Sequence, residues 1–495
     1  MVTCGNSSGF ASGLTDLAAN ISEVTACGLS DLDVADVISV SFMQPTVVVF
    51  FFMALVVAAV VVTFHSKQPV HIKPGEKVLW HISGADYDLS SFVNKHPGGP
   101  IAIGLGRGID CTRLFMTYHA PNGRAHAMLE RYRVGSEQGT PLPKSEFHAA
   151  LCEMVKTHFK GQGKFAHKAT YLHLAFLTVC VMAMISSWWA WFSGLWFSLL
   201  TLPVSAWLVF TNGVHDASHF AMSSVAWVNH AMCFTALPLF LNPITWYSQH
   251  VVEHHCHCNE IGLDVDLHHF MPLRLHKLED SAGSLGNLAK TMLTGMHLGI
   301  GVPLNALTGV LQNSLPDGFI HGCDIKLLYV FRESLSHYLS MWSSLLMAYF
   351  CLVMSFFVHD TLLKKVCFLV VPYVLASLLF MVFTQVSHIQ EECQTDETLE
   401  KEDFFVRQAR TSLDYSVDSK LWSILSGGLN MQSLHHSMPW VNSCHYTAIY
   451  PKFVEVCRQH GAQPPSVPNL ASALHAGFNY IVKLNDPMTN SLKAN

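Results

Sequence analysis

The sequence predicts a mostly α protein. A polytopic helical membrane domain, with two transmembrane hairpins plus interfacial helices, follows a small α+β domain and an extra N-terminal transmembrane anchor. Three observations predict this. The 495 residues are 50% hydrophobic and only 13% charged, where soluble domains carry about 25% charged residues; the deficit lies in long apolar runs. The 30 histidines outnumber the 29 Lys plus Arg and gather in clusters. A short segment containing His96 and His119 stands between the first apolar run and the others. The net charge of −6 argues against a nucleic-acid partner. The 14 cysteines form no paired framework, as expected for a largely reduced, intracellular chain.

The first apolar run, "TVVVFFFMALVVAAVVVTF" at 46–64, would span roughly 28 Å as a helix, about one hydrocarbon core. It is too long for a signal-peptide core and lacks a basic flank before it and a small-residue cleavage site after it, so it reads as a retained anchor. Residues 1–45 contain no Lys or Arg, whereas 65–169 contain 14 of the 29. The positive-inside rule then places the tail in the lumen and 65–169 in the cytosol. Asn6 and Asn20 lie in N-x-S sequons on that tail, and Cys4 and Cys27 are placed to pair there.

Two hairpins follow, 171–192 with 194–212 and 338–358 with 366–385. Trp188, Trp189, Trp191 and Trp196 cluster at the first turn like an interfacial aromatic belt. Lys364 and Lys365 at the second turn run against the positive-inside rule. The shorter stretches 225–241 and 288–311 are interrupted by Asn229, Pro238, Gly299, Gly301 and Pro303, and read as interfacial or re-entrant helices.

The histidines fall at the ends of these segments. His215 and His219 follow the first hairpin; His250, His254 and His255 lie between the hairpins; His388 follows the second; Gln432, His435 and His436 come some 45 residues later. Each hairpin crosses twice, so all the clusters return to one face. On a helix His215 and His219 share a side, as do His250 and His254. The adjacent pairs His254–His255 and His435–His436 diverge by about 100° and can face different ions. Eight histidines and Gln432 are too many for one ion, and two ions fit the count. Cys256 and Cys258 permit a local zinc site, which leaves the other clusters unexplained. Imidazole-rich, open coordination suits iron that must bind oxygen. His257, Cys256 and Cys258 are expected to pack around the site, with Asn259 and Asp264 orienting ligands.

Upstream, residues 80–119 read "WHISGADYDLSSFVNKHPGGPIAIGLGRGIDCTRLFMTYH". Trp80, Tyr87, Leu89 and Phe92 can build a small core around a flat cofactor. The block resembles a cytochrome b5 domain, and the resemblance implies haem b held by His96 and His119. Two histidine ligands leave no open position, so such a haem carries electrons and does no oxygen chemistry.

A cytochrome b5-like block ahead of H-x-x-x-H, H-x-x-x-H-H and Q-x-x-H-H boxes resembles a front-end acyl-lipid desaturase over about residues 70–455. "QVSHIQEEC" and "GGLNMQSLHH" carry the resemblance furthest, with glutamine opening the third box. The resemblance implies two non-haem iron ions, O2 as co-substrate, and a cis double bond inserted into a polyunsaturated fatty acyl chain, with delta-4 or delta-5 as the expected position. It also implies an NADH-cytochrome b5 reductase partner, since the chain has no nucleotide-binding Gly-rich unit, and an endoplasmic-reticulum membrane with both centres facing the cytosol. A di-iron hydroxylase and a membrane-tethered electron carrier with a degenerate cage remain the alternatives. The expected segments are a lumenal tail (1–45), anchor (46–64), haem domain (70–135), linker (136–169, flexible at Gly135, Gly139, Pro141 and Pro143), desaturase domain (170–455) and C-terminal tail (456–495).

Overall fold

The computed structural model describes residues 77–485, apart from 122, 136–139, 241, 269–273, 279–298, 300, 304–327, 332–334 and 395–401. The expected anchor, both sequons, Cys4, Cys27 and most of the 288–311 stretch lie outside the described residues.

The small domain begins with an antiparallel hairpin, Trp80–Ile82 paired with Ala85–Tyr87, to which Arg133–Val134 adds a third strand. Ser83 and Gly84 form its two-residue turn with φ of 52° and 74°. Such a turn needs left-handed backbone and matches the twist of the strands it joins. Trp80 is buried beneath the sheet and donates its indole N–H to the Ile103 carbonyl at 2.7 Å. Three short helices, Gly99–Gly104, Thr112–Tyr118 and Arg124–Leu129, wall the cavity that this core supports.

The rest of the protein is almost wholly helical. Tyr171–Phe192 and Leu362–Gln385 are long and apolar enough to cross a membrane; Trp342–Val358 is a shorter apolar helix. Tyr171–Phe192 packs against Ser198–Val209, and Leu362–Gln385 packs against both Ser198–Val209 and the Ser355–Val358 turn. Their outer faces expose Leu172, Val179, Met182, Leu363, Val366 and Val370, the pattern of helices solvated by lipid rather than water. Within the expected 225–241 stretch, Ala226–Met232 is a short helix.

The expected linker and C-terminal tail each contain a helix. Glu146–His158, inside the expected linker, is a helix capped by the Ser145 hydroxyl, which accepts from the His148 N–H at 2.9 Å. Its Phe147, Leu151 and Val155 share a core with Ile449, Phe453 and Cys457 of the helix Tyr446–Gln459. The expected tail contains the helix Leu470–Asn485, buried along Leu470, Ala473, Gly477, Tyr480 and Leu484. Those positions repeat every three to four residues, so one face of the helix has an apolar surface to bury.

The small domain is docked against the helical domain. A Cβ on Gly99 would stand 2.5 Å from that of Ala226, and one on Gly104 would stand 2.5 Å from Val330 Cγ2. These glycines allow backbone approach that any other residue would block. The Arg113 guanidinium donates to the Cys256 carbonyl and to both Glu260 carboxylate oxygens at 2.8 Å, and Arg407 pairs with the same carboxylate. The flexible connection expected at 135–143 therefore leads into a domain held by packing and charge.

Candidate metal centres

Four segments carry the predicted histidines into one buried place. The chain is π-helical at Phe210–His215 and again at Tyr247–His254, each directly continued by α-helix. The α-helical spacing expected for the first two boxes is thus altered. A π-turn inserts an extra residue per turn, a distortion frequent at functional sites. Here it turns His250, His254 and His255 toward one interior. His388 lies just past Leu362–Gln385, and Gln432, His435 and His436 lie on the helix Gln432–Ser437. All nine side chains are buried.

They form two adjoining groups. Ligand atoms of His215, His219, His250 and His435 lie within 4.8 Å of one another, as do those of His254, His388, His436 and Cys258. The His255 ring sits between the groups, 4.4 Å from His219, 4.7 Å from His435 and 4.3 Å from His436, centroid to centroid. His215 Nε2 faces His250 Nε2 at 3.1 Å, His435 Nε2 faces His255 Nε2 at 3.0 Å, and the Gln432 amide meets His388 Nε2 at 2.9 Å. Nitrogens bonded to one ion at about 2 Å each, roughly at right angles, stand about 3 Å apart, so the donor set fits metal. His219 Nε2 and His436 Nε2 are buried without a protein partner, as ligand atoms would be.

Burial holds most of these rings neutral, which is the form that offers a lone pair. It pushes His215 down to about 3 and His388 to about 4, with His254 adding to both shifts. His219, His250, His255, His435 and His436 are pushed well below the ordinary value by burial and by neighbouring histidines. His254 is the exception. Burial opposes its charge, but Asp266 and Asp264 overcome that and raise it to about 9.

The surrounding groups fix ring orientation. His254 Nδ1–H donates to Asp264 at 2.9 Å, and the other Asp264 oxygen accepts from the Asn259 backbone N–H at 2.7 Å. Asn259 holds φ of 59°, and its amide donates to the Thr411 carbonyl at 3.2 Å. Cys258 Sγ stands 3.5 Å from His388 Nδ1, Cys256 is buried, and His257 joins the Arg113–Glu260 network through Glu260 at 2.8 Å. His436 Nδ1 donates to Gln408 at 3.0 Å, Tyr446 reaches His435 at 3.3 Å, and Trp246 stacks on His250 at 4.0 Å. Sequence reasoning missed Gln408, Tyr446, Trp246, Asp266, Tyr118 and the Arg113–Glu260–Arg407 cluster. Asp266, two residues from Asp264, carried a local signal; the others are brought in by tertiary packing and carried none.

The second centre is a cavity of about 480 Å³ in the small domain, lined by Leu89, Phe92, Leu114 and Phe115 and by His96 and His119. The two histidine rings are 6.1 Å apart. A metal held between two imidazole nitrogens at about 2 Å each needs about that gap. His119 Nδ1–H donates to the Phe115 carbonyl at 2.8 Å, freeing Nε2, and the His96 ring lines the same cavity. Burial, with His119 adding, takes His96 down to about 4. The cavity is large and apolar enough for a flat macrocycle, so the residues fit haem. Its far wall comes from the helical domain: Lys168, His219, Phe220 and Trp440.

A haem cavity against a dry histidine cage defines an oxidoreductase in which an electron carrier feeds a metal pair. The chain belongs to the fatty acid desaturase family, whose profile, "Fatty acid desaturase", matches residues 166–465, with "Cytochrome b5-like Heme/Steroid binding domain" matching 66–137. It is 31% identical to the "Acyl-lipid omega-13 desaturase" of Chlamydomonas reinhardtii over 448 residues, 80% of this chain and 90% of that one. It is 25% identical to the "Delta(5) fatty acid desaturase A" of Dictyostelium discoideum, over 82% of this chain and 90% of that protein. It is 27% identical to the "Acyl-lipid (8-3)-desaturase" of Mortierella alpina, over 77% and 87%. The chain is a front-end acyl-lipid desaturase with a fused haem domain, acting on a fatty acyl lipid with O2 and using haem b and two non-haem irons.

Proposed function

We propose that His215, His219, His250, His254, His255, His388, His435 and His436, with Gln432, hold the two irons, and that His96 and His119 hold the haem. The observation that carries this is the convergence of all nine side chains into one buried cage whose His219 also lines the haem cavity. The iron pair supplies the oxidising chemistry that removes two hydrogens from adjacent acyl carbons. The chain does the rest. Asp264, Gln408 and Tyr446 hold ligand rings by their Nδ1 atoms, so that Nε2 faces inward. Trp246, Phe380, Thr384 and Leu429 form the wall facing His215, His250 and Gln432 from the side of the apolar helix Leu362–Gln385. An acyl chain arriving along that helix would meet this wall, which keeps water out and sets which carbons lie nearest the metals.

The acyl chain is polyunsaturated and the new bond lies at delta-4 or delta-5. The delta-5 position is supported by the Delta(5) name carried by one relative. The electrons come from an NADH-cytochrome b5 reductase. The protein sits in the endoplasmic-reticulum membrane with both centres facing the cytosol, anchored in addition by 46–64. The test is expression in a host without polyunsaturates, fed one candidate acid at a time, with mass spectrometry of double-bond position. A hydroxylated product, or no product with haem loaded, would overturn the reading.

A further inference from the structure

The haem cavity and the iron cage meet at one residue. Tyr118 ends the helix Thr112–Tyr118, is the residue before His119, and lines the haem cavity. Its hydroxyl is 2.9 Å from His219 Nδ1, while His219 Nε2 points into the cage without a protein partner. When Nε2 binds metal it uses its lone pair, so the proton of the neutral ring sits on Nδ1 and is donated to the Tyr118 oxygen. The covalent path from His119 to Tyr118 is one peptide unit. From the Tyr118 ring to the His219 ring it is one hydrogen bond.

Aromatic rings pack around this contact. Phe220, next to His219, makes an edge contact with the Tyr118 ring at 6.1 Å and stacks on Tyr247 at 6.0 Å. Lys168 lines the same cavity and donates to the Phe220 carbonyl at 2.8 Å. Arg113, five residues before Tyr118 on its helix, is held by Glu260, and Gly99 and Gly104 let the domain seat closely. A domain that swung to deliver each electron would have no need of such a fit.

We infer that Tyr118 is the positioning residue that couples the two centres, holding His219 and giving electrons a bonded route from the haem side to the iron side. The inference rests on the ligand roles proposed above for His119 and His219. In the step itself one electron leaves ferrous haem, which becomes ferric, and one ferric ion of the pair becomes ferrous. No atom moves, and Tyr118 keeps its proton and is not oxidised.

The test uses the full chain loaded with haem and iron, without O2. A photoreduced flavin reduces the haem in a short pulse, and the ferrous haem band is followed as it decays into the ferric pair. In Tyr118→Phe, haem and iron per chain stay at wild-type values, and the decay slows by about tenfold or more, the lower end of what losing a bound histidine's outer partner costs in activity. Tyr118→Gln, which returns a side-chain oxygen able to accept from Nδ1, recovers part of that rate. When the pair is instead reduced directly with dithionite and a mediator, single-turnover product from Tyr118→Phe matches wild-type. Decay within about twofold of wild-type in Tyr118→Phe would overturn the inference. So would an equal loss of product after direct reduction, or iron loss with the decay per loaded centre unchanged. Failure of the underlying ligand reading is seen separately, as unchanged iron content in His219→Ala.

Discussion

The haem cavity and the histidine cage lie against each other and are built in opposite ways. The cavity's two key histidines are 23 residues apart, and its inner wall comes from 80–129. The cage draws on four segments from His215 to His436, brought together only by the packing of the long helices. The cavity is roomy, about 480 Å³; the space beside the cage residues is about 10 Å³. One centre is a pocket that admits a ready-made cofactor. The other is nearly filled by the side chains that line it, among them Trp246, Phe380 and Leu429.

The largest effect should come from the cage. On the proposed assignment, replacing His215, His254 or His436 with Ala would remove a ligand from the cage. We predict that turnover falls to background in each, with the chain still inserted and the haem spectrum intact, read by product analysis and optical spectroscopy. A variant near wild-type turnover would take its residue out of the cage. The converse variant, His96→Ala, should lose haem but keep iron, and should lose most desaturation even in a host with its own free cytochrome b5. A tethered donor works at about millimolar effective concentration, and the docked domain would in addition keep a free one away from His219. Full activity in that host would mean the two centres are independent.

The same contrast explains what was legible. The haem site could be read because His96, Pro97, Gly98 and Gly99 and then His119 fall within one short fold. The cage could be read as a set, since its histidines stand at the ends of apolar runs, but not as a geometry. The π-helical turns at 210–215 and 247–254 leave no mark in periodicity. Tyr118, Gln408 and Tyr446 look like ordinary residues until the chain folds, and so does the helix at 146–158, whose apolar face is matched by one some 300 residues later. The sequence implied a flexible connection after the haem domain, because Gly135 and Pro141 loosen the chain there. What holds the domain is distant: Arg113 on one side, Glu260 and Arg407 on the other.

That clamp gives an intermediate prediction. Glu260 is partly buried, which alone would raise its pKa, but hydrogen bonds from His257 and Arg113 and the charge of Arg407 bring it down to about 2. Its folded value lies below its ordinary one of 4.5. The docking stability it contributes is therefore complete above that ordinary value and is lost as pH falls toward about 2. Arg113→Ala should speed hydrogen exchange in 112–118 and slow haem-to-iron transfer severalfold, with haem and iron both retained. The Glu260 carboxylate itself should stay ionised between about 5 and 8. Unchanged exchange in Arg113→Ala would mean that packing at Gly99 and Gly104 suffices.

The smallest effect is expected from the cysteines nearest the cage. Cys258 lies among His254, His388 and His436, close enough to be counted as a ligand. Its geometry argues otherwise. The sulfur sits 3.5 Å from His388 Nδ1 and 3.5 Å from the Thr411 hydroxyl, on the side of the ring away from Gln432. Burial, with Asp264 adding, drives its thiol well above the usual range. Cys256 is still less involved, with its backbone carbonyl rather than its sulfur engaged by Arg113. A Cys256→Ser, Cys258→Ser double variant should therefore keep its iron. A thiol is a weak hydrogen-bond partner, so activity should fall by less than the roughly 10- to 100-fold that a strong outer partner is worth. Asp264→Asn, which weakens the 2.9 Å bond to His254, should reach that larger range. Iron lost from the double variant and retained in Asp264→Asn would reverse the order, making Cys258 a ligand and the second ion's site a mixed one of sulfur and nitrogen.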